Sequence, residues 1–243
     1  NDNYIPTGDV TEMIHKVTTT HIQKVSLQNK PNVRTPTFES VKDGNCAPHA
    51  MGLSVCYMLK SMPKLKSEND VIAYQFRTAI LEYQRLNFFR CSILTGMPWH
   101  QIIYESHNLG IPASELEDFG LSDWGSDPRH RKDCWESECN DFYFTISELM
   151  AFCEMLHRFN LNVVFRVFRV SNRKLEQFCR IPEVLDSTEF IVFDFKHTGR
   201  NDTNQAHWEL LKSGSVIDKR THKRTHTREH TRTHIRAPKR TQN

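Results

Sequence analysis

DGNCAPHAMGLSVCYMLK, residues 43–60, is the most informative stretch of this sequence. After Asn45 it is apolar on most sides, which predicts a helix over residues 46–60 that is buried in the core. Pro48 has no amide hydrogen, so a helix tolerates it only in the first turn. The helix is therefore expected to begin at Cys46, with a tight turn directly before it.

Outside this helix, local patterns predict a chain with helices first and strands mostly later. Thr145 and Glu148 form a capping box, which predicts a helix start at residue 146. We expect further helices over residues 9–17, 70–86, 99–106, 113–119 and 146–159, and a short one over residues 174–179. A loop is expected over residues 120–141. Strands are expected over residues 38–41, 161–170, 189–196 and 206–211. This order predicts an α+β fold, in which a small, mostly antiparallel sheet packs between helices.

The composition is that of a globular protein with a sizeable core. The chain has 243 residues, of which 38% are hydrophobic and 25% are charged, with nine glycines and ten prolines. These values exclude collagen-like and wholly disordered classes, and no apolar run approaches the roughly 18 residues of a membrane span. The first residue is Asn, so we expect a piece of a longer product. Seven cysteines form no dense framework, so a reducing compartment, cytoplasmic or nuclear, is expected.

The overall charge of +3 hides a basic tail at residues 212–243, which holds ten Lys and Arg against two acids. This Thr/His/Arg-rich segment has almost nothing to bury, which is typical of a solvated low-complexity tail. A weak contact with nucleic acid or an anionic surface is a second interpretation of the tail. Its His-x3-His spacings lack the upstream Cys-x2-Cys of a zinc finger.

Cys46 is the candidate nucleophile. At a helix start, unpaired amides carry partial positive charge, which favours the thiolate over the thiol. The turn formed by Asp43 and Gly44 can direct backbone amides at an oxyanion, which acyl transfer also needs. An ordinary capped turn before a core helix would have the same pattern, so a base is the further requirement.

The segment 206–211 offers that base together with an acid. On a strand, His207 and Glu209 project to one face, whereas Trp208 projects to the other. Glu209 can then accept a hydrogen bond from one imidazole nitrogen and leave the other for the thiol of Cys46. A half-exposed histidine at a strand edge, without a catalytic role, is the alternative interpretation.

Together these residues resemble the ovarian-tumour (OTU) cysteine proteases, which are mostly deubiquitinases with a papain-like fold. The resemblance lies in Asp-Gly-Asn-Cys before an apolar helix and in a late His-aromatic-acid on a terminal strand. Trp124-Gly125 is similar to the family's Trp-Gly segment, with Trp135 as an alternative anchor, and residues 148–151 resemble its Glu-Leu-x-Ala helix. The resemblance covers residues 38–211.

The resemblance implies a role for each matching residue. Cys46 matches the nucleophile, His207 the general base and Glu209 the third position, for which Asp43 and Asp202 remain alternatives. The backbone of Asp43, Gly44, Asn45 and Cys46 matches the oxyanion turn. The implied activity is cleavage after the C-terminal glycine of ubiquitin or a ubiquitin-like modifier, with no cofactor and no metal.

The expected organisation is an N-terminal extension (1–37), a catalytic domain (38–211) with an insertion loop (126–141), and the basic tail (212–243). His130, Cys134 and Cys139 within the insertion are a weak zinc candidate, with a solvated loop as the default. His49 is expected at the surface of the helix, with a position that lines the cleft as the alternative. A non-catalytic ubiquitin-binding module, or a nucleic-acid-associated protein acting through its tail, is the alternative function.

Overall fold

The computed structural model describes residues 8–20, 22, 31, 33–41, 44–108, 124–141, 143–183, 190–198 and 207–214. Within these ranges the fold is α+β, with six helices and an open, mixed five-stranded sheet. The helices are Asp9–Thr18 (α1), Cys46–Met58 (α2), Lys66–Asn87 (α3), Trp99–Asn108 (α4), Pro128–Glu138 (α5) and Ile146–Arg158 (α6). The predicted helix over 113–119 lies outside the described residues.

The strands are Thr37–Phe38 (β1), Val163–Ser171 (β2), Lys174–Ile181 (β3), Ile191–Thr198 (β4) and His207–Gly214 (β5). Their order across the sheet is β1-β5-β4-β2-β3. Only β2 and β4 pair in parallel, and the other neighbours are antiparallel. The prediction of a mostly antiparallel sheet is therefore confirmed, and the last strand, β5, pairs antiparallel with β4.

The predicted central helix is confirmed as α2, which begins at Cys46 and is buried along nearly its whole length. It packs against α3 and β5 and contacts α1. The apolar side chains of α1, including Val10, Ile14 and Val17, belong to the same core. The N-terminal region thus contributes to the domain that holds α2.

The start of α6 is confirmed as a capping box between Thr145 and Glu148. The Glu148 carboxylate accepts from the Thr145 amide (2.7 Å) and lies 3.1 Å from Nε2 of His107. Burial raises the pKa of Glu148, but the neighbouring His107 and the hydrogen bonds outweigh burial and lower that pKa to about 2. A carboxylate therefore stays charged beneath the helix start.

Two predicted elements were wrong. Residues 174–179 form part of β3 rather than a short helix, because Asn172 and Arg173 both have positive φ angles (49° and 62°) and close a two-residue hairpin turn. The predicted insertion loop contains α5 instead. Its N-cap, Asp127, accepts from the Arg129 amide, and Pro128 occupies the first turn.

Close packing of α2 on α3 leaves no room for a side chain at Gly52. An added Cβ would clash with Cγ2 of Ile72 and would lie 2.9 Å from Cδ2 of Phe76. We predict that Gly52→Ala lowers the free energy of unfolding, because an overpacking cost of about 1–3 kcal/mol outweighs a helix-propensity gain of roughly 1 kcal/mol. Urea denaturation measures the change.

Thr78→Ala is the matched control, since Thr78 is exposed on α3 and its replacement changes only helix propensity. An unchanged or increased stability of Gly52→Ala would contradict the described packing of the two helices.

Candidate active site

Two contacts fix the direction of α2 relative to β5. Phe38 of β1 pairs with Leu210 of β5, and its ring centroid lies 5.3 Å from that of Tyr57, near the end of α2. Three residues later, the amide of Val41 donates to Nδ1 of His49 (3.1 Å), in the first turn of α2. The helix therefore runs alongside β1 and β5, with its end near Phe38 and its first turn near Val41.

This direction brings two predicted residues to one end of the sheet. Because β1 is antiparallel to β5, the chain from Phe38 to Val41 advances from the level of Leu210 towards the start of β5. The start of β5 is His207, and the start of α2 is Cys46. The candidate nucleophile and the candidate base thus begin two packed elements at a shared end.

His207 and Glu209 lie on the same face of β5, as predicted. Nε2 of His207 is 3.9 Å from Oε1 of Glu209, which is longer than a hydrogen bond. The other carboxylate oxygen accepts from Nζ of Lys196 at 2.8 Å, across the β4–β5 pair. Glu209 therefore forms an ion pair with Lys196 and lies beside the imidazole of His207 at a longer distance.

The turn before α2 requires glycine at position 44. Gly44 has a φ of +83°, which side chains other than glycine rarely adopt. A Cβ there would also lie 3.5 Å from the ring of Tyr143. The turn is thus covered by the segment that connects α5 to α6. Asp43, the first residue of the predicted motif, and Asp202, the alternative acid, lie outside the described residues.

Arg77 of α3 joins this turn to the α5–α6 segment, a role that the sequence did not predict. Its guanidinium donates to the carbonyl oxygens of Asn140 (2.6 Å) and Cys139 (3.2 Å), and to Oδ1 of Asn45 at 3.5 Å. It also lies 5.0 Å from the ring centroid of Phe144. Arginine is suited to such a position because its fork holds several donors in a fixed geometry.

His49 was predicted to lie at the helix surface, and this prediction was wrong. The residue is buried, with Nδ1 accepting from the amide of Val41 and Nε2 lying 2.8 Å from Oδ1 of Asn69. Since Nδ1 accepts, Nε2 carries the hydrogen and the ring is neutral. His49 therefore holds the approach to α2 in place and does not supply a charge to the thiol.

The three residues of the zinc candidate do not lie together, because His130 and Cys134 belong to α5 and Cys139 follows its end. Sγ of Cys134 lies 3.5 Å from Nε2 of His130 on the exposed face of the helix, whereas Cys139 is buried after its end. Among the described residues, no group of three or more His, Cys, Asp or Glu side chains is arranged to hold a metal ion. All seven cysteines are described, and none of them forms a disulfide.

No helix in the described ranges is long and apolar enough to cross a membrane. Comparison of the chain with protein-family models, with curated proteins and with solved structures gives no significant match.

We predict that Arg77→Met destabilises the protein by about 2 kcal/mol, because it removes charged hydrogen bonds to two backbone carbonyl groups and one side-chain amide. Arg85→Met on the same helix is the control, since its exposed pair with Glu82 contributes at most about 1 kcal/mol. Amide hydrogen exchange should increase at residues 44–46 and 143–145 in Arg77→Met alone. Equal effects of both substitutions on stability and exchange would contradict the role of Arg77 in joining the turn to the α5–α6 segment.

Proposed function

We propose that this chain is a cysteine-dependent deubiquitinase of the OTU type, with Cys46 as nucleophile, His207 as general base and Glu209 as the residue that orients the imidazole. The observation that carries the proposal is the shared end of α2 and β5, where a thiol at a helix start and a histidine with an acidic neighbour begin packed elements. A papain-like arrangement of the fold is part of the proposal.

The position of Glu209 assigns different tasks to the two nitrogens of His207. The carboxylate lies beside Nε2, so Nδ1 is the nitrogen that takes the proton from the thiol. The negative charge of Glu209 stabilises the imidazolium that forms. Lys196, at 2.8 Å from the same carboxylate, holds it against the strand and limits its movement.

The thiolate of Cys46 then attacks the carbonyl carbon of the scissile bond. The oxygen becomes an anion, which backbone amides of residues 43–46 stabilise. The imidazolium donates its proton to the leaving amine as the C–N bond breaks, and a thioester remains on Cys46. His207 next takes a proton from water, whose oxygen attacks the thioester, and the thiol is regenerated with a free carboxylate product.

The surroundings of the turn support this chemistry. Gly44 gives the turn its left-handed backbone, and Arg77 fixes Asn45 from the side. A turn held from two sides presents its amides without rearrangement during the reaction, which is the condition for electrostatic stabilisation. Ubiquitin as substrate depends on the family resemblance, whereas the residues themselves support acyl transfer by a thiol.

We predict that ubiquitin carrying a C-terminal electrophile forms a covalent adduct with the full chain, and that mass spectrometry maps the adduct to Cys46. Cys46→Ala should form none. His207→Ala should react at least about a hundredfold more slowly, the lower limit expected for loss of a general base.

Cys91→Ala is the matched control, because Cys91 is an exposed cysteine outside the candidate site and its loss should leave labelling unchanged. Absence of an adduct with the wild-type chain would exclude the proposed enzyme, and binding of ubiquitin without an adduct would favour the non-catalytic module. The same assay on Glu209→Ala, Asp202→Ala and Asp43→Ala identifies the orienting acid. We expect the rate of adduct formation to fall at least tenfold in Glu209→Ala.

A further inference from the structure

His197 of β4 is a buried histidine that the proposed reaction does not use. Only 2% of its surface is exposed, and neither ring nitrogen has a hydrogen-bond partner within the described part of the chain. Leaving a buried polar group unpaired costs about 1–3 kcal/mol, so such groups in proteins usually have a partner. Both nitrogens of this imidazole can therefore accept or donate a hydrogen bond to a bound group.

A cavity of about 830 Å³ lies against this histidine. It lies between the sheet on one side and α4 with the start of α6 on the other, and it is partly open to solvent. Most of its walls are apolar, among them Met97, Ile102, Met150 and Trp208. A cavity of this volume, apolar with a few convergent polar groups, is typical of a site for a small organic molecule.

Three of the side chains that line the cavity lie side by side across three strands. Arg169 of β2 is in register with His197 of β4, which is in register with Trp208 of β5. The ring centroids of His197 and Trp208 are 4.7 Å apart. The guanidinium of Arg169 lies 3.6 Å from the ring centroid of Phe178, and its buried Nε has no hydrogen-bond partner among the described residues. Arg169 and His197 therefore form one polar corner.

This corner needs a hydrogen-bond acceptor. Burial, and secondarily the charge of Arg169, lower the pKa of His197 to about 4, so the ring is neutral at pH 7 and has one N–H donor. Nε of Arg169 is a second donor. A carboxylate can accept both hydrogen bonds, and its charge complements the guanidinium. Glu105 and Glu183 also line the cavity, which disfavours a ligand with several negative charges.

We propose that this cavity binds a small organic monocarboxylate with an apolar body, whose carboxylate contacts Arg169 and His197. The apolar part contacts the walls formed by α4, α6 and Trp208. Neither Cys46 nor His207 lines the cavity, so the site is distinct from the proposed active site. Because side chains alternate along β5, Trp208 and His207 lie on opposite faces of that strand.

The test uses decanoate as the ligand and the full chain with Cys46→Ala, so that binding is independent of catalysis. Isothermal titration calorimetry and the thermal unfolding midpoint should both report saturable binding. Decanol, which has the same chain length without the charge, should bind at least tenfold more weakly. Arg169→Met and His197→Phe should each weaken decanoate binding at least tenfold and leave the weak binding of decanol unchanged.

His197→Phe separates a binding role from a structural one. The substitution keeps an aromatic ring against Trp208 and removes the unpaired nitrogens, so the unfolding midpoint without ligand should be equal or higher. A lower midpoint would indicate that His197 has a structural partner, such as enclosed water, and would overturn the proposal. Absence of decanoate binding, or binding that Arg169→Met leaves unchanged, would also overturn it.

Discussion

The packing of α2 between α3 and β5 is the constraint on which the rest of the structure depends. The helix is buried on nearly every side, so it has no freedom to rotate or slide without exposing apolar surface or clashing at Gly52. Its first residue, Cys46, is therefore held at one position relative to β5. Any chemistry of the thiol follows from that position and from the partial charge of the helix start.

The candidate site combines parts of the chain that are distant in sequence. The turn at residues 44–45 precedes α2, Arg77 belongs to α3, Tyr143 precedes α6 and His207 begins β5. Arg77 connects the turn to the α5–α6 segment through hydrogen bonds to Asn45 and Asn140. The backbone that would stabilise an oxyanion is thus held by tertiary contacts rather than by its own sequence.

Sequence patterns predicted the elements whose signals are local. Pro48 marked the first turn of α2, and Thr145 marked the N-cap of α6, because each signal depends only on neighbouring backbone groups. The strand β3 was missed because a helix-favouring composition was overridden by the hairpin turn at Asn172 and Arg173. Arg77 was missed because its partners are 32 and more residues away, and no local pattern encodes them.

The most direct test of the central claim, that Cys46 and His207 act as a pair, is the rate of alkylation of Cys46 by iodoacetamide as a function of pH. If the imidazole takes the thiol proton, the wild-type rate should remain high below pH 7. In His207→Ala the rate should fall with decreasing pH at a midpoint about one pH unit or more above that of the wild type, closer to the value of about 8.5 for the free side chain. Coincident pH profiles of the two proteins would contradict the account.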